Sequence, residues 1–390
     1  RSSRDAEFWS GSISENTVWG SDTVFVTGSI TIEPQVTLVI EPGVRIEFTG
    51  FFAIQVQGAV QAIGTAENRI FFTSSNSENF TLDEQTDGSW NGLRFIDTPS
   101  DYEPSILEYC IFQHSKAVSQ DWLNYDFGGG AISVYNFSEL VIVNCRFENN
   151  LAHFGGAIYL DHSAAPRIIN CLFNHNTALE NASVLYNSYA YPILLNNTIV
   201  DNPILNADDP FIESAAVLNF HSKPKIANNI AWFNEPESYH MHSQFWQNKD
   251  FYTLYNNLQD YESENGNINL EPQFITFLGG DTYHLESSSA GIDMGSAAFF
   301  TDLIPDTDLA GNIRIQLSTI DQGAFEFNGH ILPGDANCDD VIDVLDIINV
   351  MNFVLELIEP DCYLLMDVNQ DDAVNVLDVV SMINIILDEN

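Results

Sequence analysis

Five asparagines set the frame of this chain: Asn144, Asn170, Asn196, Asn228 and Asn256 recur at steps of 26, 26, 32 and 28 residues. Around three of them one phrase repeats, in SAAPRIINCLFNHN (163–176), SYAYPILLNNTIVDN (188–202) and SKPKIANNIAWFN (222–234). Each runs Ser, Pro, a short alternating apolar strand, Asn, then a second short strand closing on Asn. Looser copies, SELVIVNCRFENN (138–150) and TLYNNLQD (253–260), flank them. One such repeat is one coil of chain. A coil cannot bury its own apolar face, so the pattern demands a stack of coils, a solenoid. Asn tolerates the left-handed backbone of a sharp bend, and its amide can hydrogen-bond to the same residue one coil away. Stacking also aligns GGAISV (129–134), GGAIYL (155–160), ASVLY (182–186) and AAVLN (215–219) into one parallel sheet. Small residues open each strand and branched ones follow, as an inward-packed ladder requires.

The 390 residues leave room for a large core and a small second domain. With 12 Lys+Arg against 55 Asp+Glu the formal charge is −43. Nucleic acid and anionic membrane surfaces are therefore poor partners, and cations are favoured. No apolar run reaches the roughly 18 residues of a membrane span. The chain opens at Arg1 without a methionine, which fits removal of an export leader, although a cut in a longer chain would look the same.

The repeats, with GSITIEPQVTLVIEPGVRIEF (28–48) and IQVQGAVQAIGTAENRIFFTSS (54–75) ahead of them, resemble the right-handed parallel β-helix, or pectin-lyase-like, fold. Residues 271–296 and 308–327 resemble the closing coils of exported members. The likeness covers roughly residues 15–327. It implies a mainly β chain, with a β-helix over 1–328 and a separate domain over 329–390. The matching residues are turn and core positions, so the resemblance specifies no activity. Cys110, Cys145 and Cys171, in EYCIF, VNCRF and INCLF, align with Asn197 in the next coil and read as a stack of buried thiols.

An acidic phrase occurs twice near the end: GDANCDDVIDVLD (334–346) and MDVNQDDAVNVLD (366–378), each before an apolar helical run. From Asp335 to Leu355 against Asp367 to Leu387, 9 of 21 positions are identical, as duplication would leave them. Calcium takes six to eight oxygens, and a twelve-residue loop supplies them from positions 1, 3, 5, 7, 9 and 12. In the first copy these are Asp335, Asn337, Asp339, Val341 (through its carbonyl), Asp343 and Asp346. In the second they are Asp367, Asn369, Asp371, Ala373 (carbonyl), Asn375 and Asp378. Two bound Ca2+ ions are expected.

This tandem resembles a type I dockerin, the calcium-dependent module that attaches exported bacterial proteins to a cohesin. The likeness covers 334–388. Two departures stand out. The glycine usual at loop position 6 is Asp340 and Asp372, and positions 10 and 11 are the apolar pairs Val344-Leu345 and Val376-Leu377. Those pairs suit a divergent partner or a surface of the chain itself. Cys338 and Cys362 lie one near each copy, and a bridge between them would imply an oxidising compartment.

Three functions are compatible with these features. The first is a non-catalytic, extracellular, calcium-binding building block, joined to a second copy or a cohesin-like partner and assembling into a filament or surface layer. The second is a dockerin-borne polysaccharide lyase or glycoside hydrolase. Its candidate bases are Lys116, Arg167, Lys223 and Lys225, with His162 and His221 near in sequence, and its candidate carboxylates are Asp161, Asp201, Asp208 and Asp209. The third is a carbohydrate-binding adhesin using Trp90, Trp122, Tyr125 and Phe127 in two long insertions. The first is the expectation carried forward, with no catalytic residue assigned.

Overall fold

The computed structural model describes residues 6–119, 126–205, 215–234, 252–259, 263–275, 283–298, 300–315, 320–327, 334–337, 342–355, 357, 366–369 and 373–388. The chain divides into two compact units, Arg1–Glu271 with Asp293–Phe325, and Pro272–Ile292 with Glu326–Asn390.

The first unit is a stack of parallel ladders. The aligned strands are Ile132–Tyr135, Ile158–Asp161, Leu185–Ser188 and Val217–Phe220, in register Ile132↔Ile158↔Leu185↔Val217. A second face stacks Leu140–Val143, Arg167–Ile169, Ile193–Leu195, Lys225–Ala227 and Tyr252–Leu254. A third stacks Cys110–Gln113, Arg146–Glu148, Leu172–Asn174, Thr198–Val200, Ile230–Trp232 and Asn257–Leu258. Near the start, the long strand Thr23–Ile32 pairs with Arg45–Phe48 through its first half and Ile54–Val56 through its second. That strand joins the first and third faces into one continuous sheet, while the second remains separate.

Left-handed corners turn the chain between faces. One row holds Tyr109, Asn144, Asn170, Asn196, Asn228 and Tyr255; a second holds His114, Asn149, His175, Asp201 and Phe233; a third holds Asp97, Asn136, His162, Tyr189 and His221. Gly129 and Gly155 make a fourth. At Gly129 a Cβ would lie 2.0 Å from the Ile132 carbonyl oxygen, so the GGA phrases need glycine there.

Hydrogen-bond ladders run beside two of these rows. Asn150, Asn176, Asn202 and Asn234 form one, each amide bonding to the next: Asn150 Nδ2 donates to Asn176 Oδ1 at 2.9 Å, Asn176 Nδ2 to Asn202 Oδ1 at 3.0 Å, and Asn202 Nδ2 to Asn234 Oδ1 at 2.8 Å. Asn197, Asn229, Asn256 and Asn267 form the other at 2.9 Å per step. The two duties expected of one asparagine are thus divided between neighbours. Asn144, Asn170, Asn196 and Asn228 take the bend, and the residue after each joins the ladder. In two earlier coils that next residue is Cys145 or Cys171. Their thiols donate to the carbonyls of Val143 at 3.2 Å and Ile169 at 3.2 Å, as the Asn229 amide donates to the Ala227 carbonyl at 2.9 Å. The thiol stack is real, and it carries hydrogen bonds in the place of an amide.

Inside the solenoid, Phe72, Phe112, Phe147 and Phe173 stack at centroid separations of 4.8, 4.9 and 4.8 Å. Trp90 caps that column against Phe48 at 4.3 Å and is fully buried.

The described residues of Asp293–Phe325 add no coil. They run outside the stack and back again: Asn228 exchanges two bonds with Ser296, Asn170 Nδ2 donates to the Thr307 carbonyl at 3.0 Å, Tyr109 Oη donates to the Asp308 carbonyl at 3.1 Å, and Arg69 Nη2 donates to the Leu309 carbonyl at 2.6 Å. On the return, the Ala324 N–H donates to Thr198 Oγ1 at 2.9 Å. The closing-coil reading of 308–327 is thereby corrected. The side-chain amides of bend asparagines are spare, and they hold a passing backbone that would otherwise need a sheet partner. Phe300, Leu303 and Ile304 of this strap cover Ile169, Leu195 and Ala227.

The second unit has a short antiparallel pair, Phe274–Ile275 with His284–Leu285, and two helices, α1 (Val344–Val354) and α2 (Val376–Asp388). Ala336, Val350, Met366, Val379 and Met382 form its core, with Ile347, Phe353, Val368 and Val374 packed against them.

Candidate metal centre

The two acidic phrases fold alike. Asp343 caps α1, its carboxylate accepting the Leu345 N–H at 2.6 Å, and Asn375 does the same for α2, accepting the Leu377 N–H at 2.8 Å. The carboxylate at loop position 12 is buried in both copies and reaches back over its own loop. Asp346 accepts N–H bonds from Asn337 at 3.1 Å and Asp343 at 2.8 Å; Asp378 accepts them from Asn369 at 3.1 Å and Asn375 at 2.8 Å. Positions 3, 9 and 12 therefore converge in each copy. Asp339, Val341 and Asp371, like Cys338 and Cys362, lie outside the described residues.

Burial pushes the Asp346 carboxyl above its ordinary range, and the neighbouring charge of Asp335 pushes the same way against its N–H donors. Asp335 is itself only 1% exposed. Two buried like charges side by side are unfavourable unless a cation or proton offsets them. Each position-12 carboxylate has about four lone-pair sites and gives two to backbone N–H groups, so acceptor capacity remains. A hard cation held by oxygens fits this donor set. Among the described residues, no three His, Cys, Asp or Glu side chains are already gathered to hold a metal. The expected ligand positions include asparagines and a backbone carbonyl, and one expected carboxylate of each copy, Asp339 and Asp371, falls outside the described residues.

The other candidate residues are scattered. Lys116 is buried: its Nζ donates to the carbonyls of Asp83, at 3.0 Å, and Gln85, tying down the 77–91 loop over the Phe80 ring. Arg167, Lys223 and Lys225 are exposed on the second face and the turn before it. Asp161 receives the Tyr159 hydroxyl at 3.2 Å and pairs with His162 at 2.9 Å, whereas Asp201 sits on a different row of corners. Asp208 and Asp209 lie outside the described residues. Among the described residues, Asp161 and Asp201 are therefore not brought together. Trp90 is in the core and Phe127 is 8% exposed, so neither offers a ring face to a sugar; Trp122 and Tyr125 lie outside the described residues.

One cluster escaped sequence reasoning. His153, nearly buried, sits 3.1 Å from Glu180 and 3.5 Å from Glu84, joining the 77–91 loop to the solenoid. The three residues are far apart in the chain and carry no shared motif.

Comparison with known proteins bears on the solenoid. Protein bark beetle of Drosophila melanogaster is 34% identical over 94 residues, which is 23% of this chain and 3% of that protein. The chain spans only a small part of that relative's length. A family profile described as a right handed beta helix region matches residues 7–257, about two thirds of the chain. Its limits enclose nearly all the parallel ladders described above, and with those ladders it assigns the chain to the family of right-handed β-helix proteins.

Proposed function

We propose that the protein is a calcium-binding structural building block, an exported β-helix joined to a second copy or to a cohesin-like partner through its dockerin-like C-terminal module. The observation that carries this reading is the twofold repetition of one arrangement: a buried position-12 carboxylate closing its loop beside a helix whose outer face is apolar. Val344, Leu345, Ile348 and Met351 on α1, and Val376, Leu377, Val380 and Ile383 on α2, are each at least 40% exposed. Exposed apolar surface on this scale marks a site of association. Calcium makes the association conditional, because the loops hold their shape only when the carboxylates are neutralised. The scattered bases and carboxylates lend no support to an enzyme. Among the described residues no helix is long and apolar enough to cross a membrane, which is compatible with export.

The test is electron microscopy with sizing chromatography of the full chain, in excess calcium and after chelation. Ordered polymers that dissolve on chelation are expected. A calcium-loaded protein that stays monomeric would refute self-assembly and direct the search to a cohesin-like partner.

A further inference from the structure

The twelve Lys and Arg residues are unevenly used. Arg1, Arg4 and Lys249 lie outside the described residues. Six are buried or committed: Arg45 to Glu47, Arg94 to Asp126, Lys116 to Asp83, Arg69 and Arg314 to backbone carbonyls, and Arg146 within the ladder. The remaining three, Arg167, Lys223 and Lys225, are exposed, and among the described residues none of their charged groups meets a carboxylate.

These three fall on one corner of the solenoid. Arg167 and Lys225 are in register through Ile193, two strand spacings or about 10 Å apart. Lys223 stands two residues before Lys225, in the turn. Between and beside them the intervening coil exposes Tyr189 at 49% and Tyr191 at 47%, with the Tyr189 ring stacked 5.1 Å from His221. Asp161, paired with His162, lies at this corner, and exposed Glu139 stands two residues before Val141, the register partner of Arg167. On a chain of net charge −43 this is an exposed basic and aromatic surface.

The chain contains a segment of the opposite character. Residues 329–390 hold 14 Asp and Glu and no Lys or Arg, so two bound Ca2+ would leave the segment strongly negative. Its helices expose the apolar faces described above. Charge and apolar character are therefore complementary between the two surfaces.

We infer that the Arg167/Lys223/Lys225 corner of one copy receives the C-terminal module of a second copy. This rests on the building-block reading and names the surface it uses. The contact is heterologous, one patch meeting a different patch, so repetition gives rings or open filaments.

The test uses the full chain in calcium. In the first arm, Arg167→Glu, Lys223→Glu and Lys225→Glu are combined; all three side chains are exposed, so the fold is retained, which circular dichroism checks. Sedimentation velocity is expected to show association weakened by roughly tenfold or more, with wild-type association itself falling as salt rises. Assembly unchanged in the variant would overturn this docking site and leave the building-block reading standing. A wild type that never assembles in calcium would sink both. In the second arm, isotopically light and heavy chains are mixed, joined with a carbodiimide and mapped by mass spectrometry. Mixed-isotope links from Lys223 or Lys225 to carboxylates of 335–388 are expected. Links confined to single-isotope pairs would mean docking within one chain and overturn the inference, as would capture of an acidic glycan by this corner without any change in mass of the protein assembly.

Discussion

Replacing Asn176 by alanine removes the middle rung of a buried amide ladder, and its cost follows from the bonds it makes. The Asn176 amide is fully buried; its Nδ2 donates to the carbonyls of Phe147 at 2.8 Å and Asn174 at 3.2 Å and to Asn202 Oδ1 at 3.0 Å. Its Oδ1 accepts the Asn150 N–H at 3.3 Å and Nδ2 at 2.9 Å. After truncation, Asn150 Nδ2 still reaches the Phe112 carbonyl at 3.0 Å, and Asn202 Oδ1 still accepts the backbone N–H of residue 176 at 2.9 Å. The groups left short of a partner are the Asn150 N–H and the carbonyl oxygens of Phe147 and Asn174, which each lose a donor. The orphaned buried donor costs about 1–3 kcal/mol and the lost bond at each of the two carbonyls about 1 kcal/mol, for a total of about 4 kcal/mol. Asn176→Asp keeps the acceptor but sets a second oxygen against three others, so at neutral pH it should be worse than alanine. Its carboxyl would titrate above the usual range, hence the loss should shrink as pH falls and the protonated group donates one bond. Urea unfolding followed by tryptophan fluorescence measures both variants. An alanine variant within 1 kcal/mol of wild type, or an aspartate variant more stable than alanine at pH 7, would refute the account of the ladder.

Three further outcomes are expected. Cys110, Cys145 and Cys171 are buried and free, and should resist a thiol reagent in the native protein yet react after unfolding, as peptide mapping would record; labelling under native conditions would contradict their place in the ladder. Lys116→Met should release the 77–91 loop for about 2 kcal/mol, because two carbonyls lose their ammonium donor, and limited proteolysis should then cut near Asp83 where the wild type resists. Burial and the nearby Arg45 charge lower the pKa of His114 below its ordinary 6.5, so the native fold favours the neutral ring. Stability from this group is complete above that value and declines as pH falls through the lowered one; the hydrogen-exchange protection of strand Cys110–Gln113, corrected for the intrinsic pH dependence of exchange, should fall on acidification, and His114→Gln should flatten the response.

Much of the solenoid is legible because a coil that needs a bend writes Asn, Gly and Pro at a fixed period. The bends at Tyr109, Tyr255 and Phe233 are not, since nothing about these residues favours a left-handed backbone; neighbouring coils impose it. Cys145 and Cys171 hid their role for a related reason: thiol and amide are different in composition and alike in what they bond. The strap was misread because its Gly, Asn and Asp residues look like another coil, and contacts distant in sequence set its course, such as Arg69 with Leu309. At the candidate metal centre, duplication made the shared loop and capping pattern legible, whereas the exposure of Leu345 and Leu377 depends on packing that periodicity leaves open.

The strap alters how such a stack would answer to force. A plain solenoid peels coil by coil from an end, since each coil grips only its neighbours. Here one hairpin-like segment is pinned to coils bearing Arg69, Tyr109, Asn170, Thr198 and Asn228, so tension along the axis loads many of them together. Like a stay along a mast, it turns sequential peeling into a single yield event.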